Sequence, residues 1–203
     1  MTEDTPLTPA DPYGIAKLAI ELDLKAALEM FGLEYVIFRL HNVYGERQNL
    51  SDRYRNVVGI FMRQALHGEP MTIFGDGRQQ RAFTHISTIA PIIAQSVHRP
   101  ECHGQTFNLG SDDVCSVNDL AGLVAEAMGI ERRVTYLEAR REVVNAYSDH
   151  AKAIRCFGEL TAGLGLRDGL RRMAGWVKGH GAQAPSRLAA IEVTRNLPPS
   201  WRA

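Results

Sequence analysis

Two stretches of this chain, 35–40 (Tyr35-Val36-Ile37-Phe38-Arg39-Leu40) and 105–109, have the short, mostly apolar character of strands buried on both faces of a parallel sheet. No other feature narrows the fold as much. Parallel strands cannot be joined by a tight hairpin, so the chain must leave the sheet and return by a crossover. Helical and extended patterns alternate around the two runs, which makes the fold class α/β. A doubly wound sheet usually has about six strands. A chain with only two central ones is expected to hold an incomplete sheet of that kind.

The remaining elements are read from their boundaries. Pro12 suits the first turn of a helix, and residues 13–31 form a strong helical segment closed by Gly32. At 100° per residue, Ile15, Leu18, Ala19, Leu22 and Ala26 fall on one side of it, with Tyr13, Lys17, Ile20, Leu24 and Ala27 nearly opposite. A helix apolar on two sides needs covering on two sides, and a sheet on one side with a second copy of the chain on the other would do so. A helix over 57–67 closed by Gly68, strands at 71–74 and 81–86 around the turn Gly75-Asp76-Gly77, and a helix over 88–97 follow. Ser116 is placed to cap a helix with Asp119 at its third position and Gly129 at its end. A strand at 134–137, helices at 150–157 and 170–179, and an irregular tail after Gly181 complete the pattern.

Composition removes several classes of function. Lysine plus arginine (23) equals aspartate plus glutamate (23), so no global field draws the chain to nucleic acid or an anionic membrane. No apolar run approaches the roughly 18 residues that span a bilayer, and Met1 to Asp11 is polar and proline-rich rather than signal-like. The three cysteines, Cys102, Cys115 and Cys156, are odd in number and lack metal-ligand spacing. The expectation is a cytoplasmic protein with reduced thiols and no bound metal.

Tyr13 and Lys17 stand four residues apart, one turn apart on a single helix face. An ammonium beside a phenol favours the phenolate, so such a pair can turn tyrosine into a general base near neutrality. A half-buried tyrosine beneath a surface lysine has the same spacing, and the pair alone does not separate the two.

The surroundings do. Asp11-Pro12-Tyr13-Gly14-Ile15-Ala16-Lys17 resembles the catalytic helix of the extended short-chain dehydrogenase/reductases, the NAD-dependent epimerase/dehydratase family. Arg39-Leu40-His41-Asn42-Val43-Tyr44-Gly45 resembles the family's "RxxNVYG" segment, and Asn56 to Phe61 its "NxxxxF" helix. "MTIFGDG" (71–77), "QRAF" (80–83), "QTFNLGS" (105–111) and "RREVVNAYSDHAK" (140–152) follow in family order. Within the family, the loop running from Asn42 to Asn49 and the "RAF" variant look most like UDP-glucose 4-epimerases. Sugar-nucleotide 4,6-dehydratases and UDP-glucuronate decarboxylases are the near alternatives.

The resemblance implies a Rossmann-like fold whose residues 1–55 carry the catalytic helix. Residues 56–181 would be mainly a sugar-nucleotide-binding subdomain lending one strand, 105–110, back to the sheet, and 182–203 a tail. It implies NAD as cofactor and a UDP-sugar as substrate. Tyr13 would take a proton from a sugar hydroxyl as hydride passes to nicotinamide; Lys17 would lower the tyrosine's pKa and bond the nicotinamide ribose; His41 would lie against the nicotinamide. Asn42, Asn56, Val57, Thr72, Phe74, Arg81 and Arg140 would bind substrate, the asparagines and arginines at the diphosphate or sugar and Thr72 and Phe74 around the uracil. A homodimer through the 13–31 helix follows from the helix's two apolar sides. The family's glycine-rich nucleotide loop and its upstream catalytic serine or threonine have no counterpart, so the chain is expected to be its C-terminal portion and inactive alone, at most a sugar-nucleotide-binding remnant. Where relatives often carry an acidic pair after the arginine, Ser87 and Thr88 stand, and they are expected to cap the next helix instead.

Overall fold

The computed structural model describes residues 1–51, 56–139 and 145–181. Helix α1 (Pro12–Phe31) opens at Asp11, whose carboxylate accepts the Gly14 N–H at 2.7 Å, and closes at Gly32, whose φ of 69° is the left-handed conformation that suits glycine. Strand β1 (Val36–Leu40) follows, then the short β2 (Val43–Tyr44). Helix α2 (Val57–Leu66), β3 (Met71–Phe74), β4 (Gln80–Ala82), β5 (Thr84–His85) and α3 (Ile86–Ser96) come next. A 3-10 turn over Pro100–Cys102 feeds β6 (Gln105–Leu109). Then come β7 (Val114–Ser116), α4 (Val117–Met128), β8 (Val134–Leu137), β9 (Asn145–Ala146), α5 (Ala151–Phe157) and α6 (Leu166–His180).

The two strands that stood out in the sequence pair with each other. β1 and β6 run parallel in full register, Val36 opposite Gln105 through Leu40 opposite Leu109. β2 pairs with β5 and β3 with β8, both parallel, while β4 lies between antiparallel β7 and parallel β9. The stretch read as one strand over 81–86 is therefore two strands in different sheets, with Ile86 already helical. Ala82, Phe83, Thr84 and His85 are all buried in succession. A strand inside on both sides has no polar face to mark where it leaves one partner for another.

Apolar side chains gather in two clusters. The larger joins α2, α4, α6 and β3 around Phe61, Met62, Ile73, Leu120, Leu170 and Met173. The smaller wraps the β1–β6 pair with α3 and α5, through Phe107, Leu109, Ile89, Ile92, Ala153 and Phe157. Helix α4 has both halves of a capping box, Ser116 Oγ accepting the Asp119 N–H at 3.0 Å and Asp119 Oδ2 accepting the Ser116 N–H at 3.3 Å. Helix α6 begins one turn earlier than its apolar pattern indicated, at Leu166, because Leu166 and Gly169 are also buried against the core.

Two expectations are corrected. The cap of α3 is neither Ser87 nor Thr88 but His85, whose ring Nδ1 accepts the Ser87 N–H at 3.2 Å. Serine and threonine are the common caps; here the imidazole already lies buried at that bend and takes the role. Nor is α1 covered along either predicted stripe. No residue of it is fully buried, and its inner side runs through Gly14, Leu18, Glu21, Leu24 and Leu28. That face cuts between the two stripes because Glu21 is tied to Arg39 of β1 by a two-pronged ion pair, Nη2 to Oε2 at 2.7 Å and Nε to Oε1 at 2.8 Å.

Candidate active site

The N-terminal turn of α1 presents Tyr13 outward, 69% exposed, and places the Lys17 ammonium 5.4 Å from the centre of its ring. Local helix geometry suffices for this. Glu21, one turn beyond Lys17, is engaged by Arg39 and leaves the lysine to the tyrosine. A cation over a phenol ring is attracted by the ring's electrons.

His41 and Asn42 follow the C-terminal end of β1. The His41 N–H donates to Leu109 O at 3.2 Å, which extends the β1–β6 pairing by one residue and fixes the ring beside β6. Burial holds its pKa below the ordinary histidine value, helped by His150 and the chain's N-terminal ammonium. Its ring meets that of His150 edge-on, with centroids 5.4 Å apart. His150 is buried, its Nδ1 lies 2.8 Å from Asp112 Oδ1, and its Nε2 has no hydrogen-bond partner among the described residues. Gly110 permits this approach: a Cβ there would sit 2.9 Å from His150 Nε2 and 3.1 Å from His41 Cβ. Sequence reasoning gave His150 no role, since 109 positions separate it from His41 and only the β1–β6 register brings their loops together.

The polar candidates hold the scaffold. Asn42 donates through Nδ2 to Ala82 O at 2.9 Å, and its own carbonyl accepts the Thr84 N–H at 3.3 Å, so it clamps the crossing from β4 to β5. Asn56 caps α2, with Oδ1 accepting the Val58 N–H at 3.3 Å, while its Nδ2 donates to Val43 O. Val57 beside it is the first residue of α2 and is half-buried. On β3, Met71 and Ile73 point into the core and Thr72 and Phe74 share the opposite, half-buried face. The Thr72 hydroxyl accepts from Gln64 Nε2 at 3.0 Å, and Gln64 Oε1 accepts the Thr72 N–H at 3.1 Å. Gln64 was not singled out in the sequence, although it is a buried polar residue on an otherwise apolar helix face. Arg81 lies on β4, half-buried, with Nη1 donating to Gln80 O at 2.8 Å. Arg140 lies outside the described residues.

Parallel strands ending in a loop of asparagines, with a helix that offers tyrosine and lysine one turn apart, make a Rossmann-like α/β protein. The description "NAD dependent epimerase/dehydratase family" matches residues 1–110, just over half of the chain. The chain belongs to that family. It is 32% identical over 171 residues, 84% of its length, to the Bacillus subtilis protein described as the uncharacterized UDP-glucose epimerase YtcB. Its fold matches UDP-glucose 4-epimerase of Thermotoga maritima, solved with UDP-glucose, at 28% identity and a TM-score of 0.77 over 85% of this chain and 55% of that one. It also matches UDP-glucuronic acid 4-epimerase of Bacillus cereus, solved with UDP-glucuronic acid and NAD, at 26% identity and a TM-score of 0.80 over 89% of this chain and 57% of that one. The chain spans about half the length of these relatives, 52% of YtcB. Among the described residues no helix is long and apolar enough to cross a membrane.

Proposed function

We propose that the chain supplies the catalytic helix and the sugar-nucleotide side of an NAD-dependent UDP-sugar 4-epimerase, UDP-glucose being the substrate, and that by itself it binds sugar nucleotide without turning it over. The observation that carries this reading is the exposed Tyr13–Lys17 pair on α1 of a chain in this family. The residues present fit the nicotinamide end of NAD: the phenol and the ammonium share one open face, and the half-buried imidazole of His41 supplies a flat wall. When bound there, NAD would supply reversible two-electron oxidation at C4 of the sugar. Tyr13 Oη takes the 4-hydroxyl proton and gives it back, with the Lys17 ammonium over its ring on the same open face. Arg81 and Arg140 offer planar donor forks for the diphosphate, and Asn42, Asn56 and Val57 fix the loop and helix start that face it. Thr72 and Phe74 share the half-buried face of β3 that would flank the uracil.

In this reading residues 1–55 form the cofactor side and 56–181 mainly the substrate side. Ile15, Ile20, Leu22, Met30 and Phe31, all more than half exposed on α1, support a second copy of the chain as its partner. The test is calorimetry of the purified chain with UDP-glucose, alongside an assay for retained NAD and for UDP-galactose formed. Binding that is weakened at least tenfold by Arg81→Met, with no product, is the expected result. Tight NAD retention with turnover would overturn the view that the chain is inactive alone. Failure to bind either UDP-glucose or UDP would overturn the sugar-nucleotide reading.

A further inference from the structure

Of the three cysteines, two meet in space although 54 positions separate them: Cys102 Sγ lies 2.9 Å from Cys156 Sγ. Both are free thiols. Cys102 ends the 3-10 turn that feeds β6 and is wholly buried; Cys156 sits on α5 and is half-buried. Arg99 lies beside them, donating to Cys156 O through Nη1 and stacking over the Phe157 ring at 5.4 Å. The carboxylate of Glu101 belongs to the same group, all three ligand atoms lying within 4.8 Å of one another. A shared metal is the weaker use of this arrangement. Two thiolates on one tetrahedral zinc, at about 2.3 Å each, stand about 3.8 Å apart, well beyond the separation found, and the third ligand is an exposed glutamate.

We infer that Cys102 and Cys156 form a reversible disulfide when the chain meets a small-molecule disulfide, stapling α5 to the turn that feeds β6. The half-buried Cys156 is the entry point. Its thiolate attacks one sulfur of the reagent RSSR, the reagent's S–S bond breaks, and the leaving RS⁻ takes up the proton released by Cys156. Cys102 then loses its proton to water and its thiolate attacks Cys156 Sγ, breaking the mixed disulfide and releasing the second RSH. Two protein thiols are oxidised by two electrons in all, and the reagent is reduced to two thiols. Burial and the neighbouring thiol push the Cys102 pKa up to about 12, so closure is the slow step and quickens as pH rises. Cys115, on β7, has its thiol pushed up to about 11, chiefly by burial, and is apart from the pair. The staple fixes the helix that begins just after His150, and His150 packs edge-on against His41. Oxidation therefore stiffens one wall of the candidate active site.

The test uses oxidised glutathione on the whole chain, followed by alkylation in denaturant and intact and peptide mass measurement. The expected product has lost two hydrogens, carries no glutathione, accepts one alkyl group at Cys115, and yields a cross-linked pair of peptides containing Cys102 and Cys156. Dithiothreitol restores three alkylatable thiols. Closing a loop of this length raises the melting midpoint on the order of 10 °C, and Cys156→Ser abolishes both the cross-link and the rise. Three alkylated thiols after oxidation, a glutathione adduct that persists on Cys156, a link through Cys115, or a thermal shift retained in Cys156→Ser would each overturn the inference. The peptide map of the unaltered chain decides the matter even if the variant folds poorly.

Discussion

Among the described residues between β1 and α2, three non-glycine residues hold positive φ: Asn42 at 22°, Arg47 at 66° and Asn56 at 62°. Asparagine tolerates that region better than other side chains with a Cβ, because its short amide bonds to nearby backbone. The two asparagines that the family resemblance marks for substrate thus have a conformational reason to be asparagine too. Substitution at Asn56 separates the roles. Asn56→Ala loses the α2 cap and places a Cβ at positive φ without a compensating amide, for a cost of about 2 kcal/mol in urea unfolding. Asn56→Gly relieves the φ and costs less, about 1 kcal/mol or under. If the amide also touches ligand, both variants lose UDP-glucose affinity to a similar extent; if alanine alone weakens binding, the role of Asn56 is structural. The motif made Asn56 legible as a candidate. It did not show that its two amide atoms are spent on Val58 and Val43.

At the level of elements, α1 is the least committed part of the molecule. Its anchor is polar, the Glu21–Arg39 pair, and most of its apolar residues remain open. The helix itself was plain in the sequence from Pro12, the run of helix formers and Gly32. Its inward face was not, because periodicity says which residues share a side and not which side a distant charge will pull toward the sheet. Leu22 lies on the open side, 56% exposed, so Leu22→Glu disturbs little packing within the chain. If a second copy covers α1, light scattering at micromolar concentration reports a dimer for the parent chain. The variant then needs roughly tenfold higher concentration or more to associate, because a carboxylate resists burial. A monomeric parent chain removes the dimer through this helix.

Across the whole molecule, a half-buried imidazole, His41, and a buried one, His85, make stability depend on pH in a defined direction. Burial holds both His41 and His85 below the ordinary value of 6.5. His150 and the N-terminal ammonium add to this at His41; at His85, Arg172 adds to it while Glu46 opposes. His85 Nδ1 accepts the Ser87 N–H, which leaves the neutral ring's proton on Nε2, 3.1 Å from Glu46 Oε2. The unfolded chain protonates both rings at higher pH than the folded one. Their contribution is thus fully present above about pH 6.5 and is lost as pH falls toward the folded values. The urea midpoint is expected to drop between pH 7.5 and 5.5, a window above most carboxylate titration, and His41→Asn to flatten that slope in part. A midpoint that is constant or rises on acidification contradicts this assignment.

The two central strands, the helix ends at Gly32 and Gly129, the Ser116–Asp119 box and the Tyr13–Lys17 pair were all readable in the sequence. Each depends on residues within about one helical turn or one strand of one another, where covalent geometry alone sets the outcome. Only the tertiary structure decided that Cys102 meets Cys156, that His41 faces His150, that Gln64 occupies the Thr72 hydroxyl, and that a histidine caps α3. Those neighbours are chosen by strand register and helix packing, which depend on the summed burial of many side chains and leave no periodic mark in the residues they bring together.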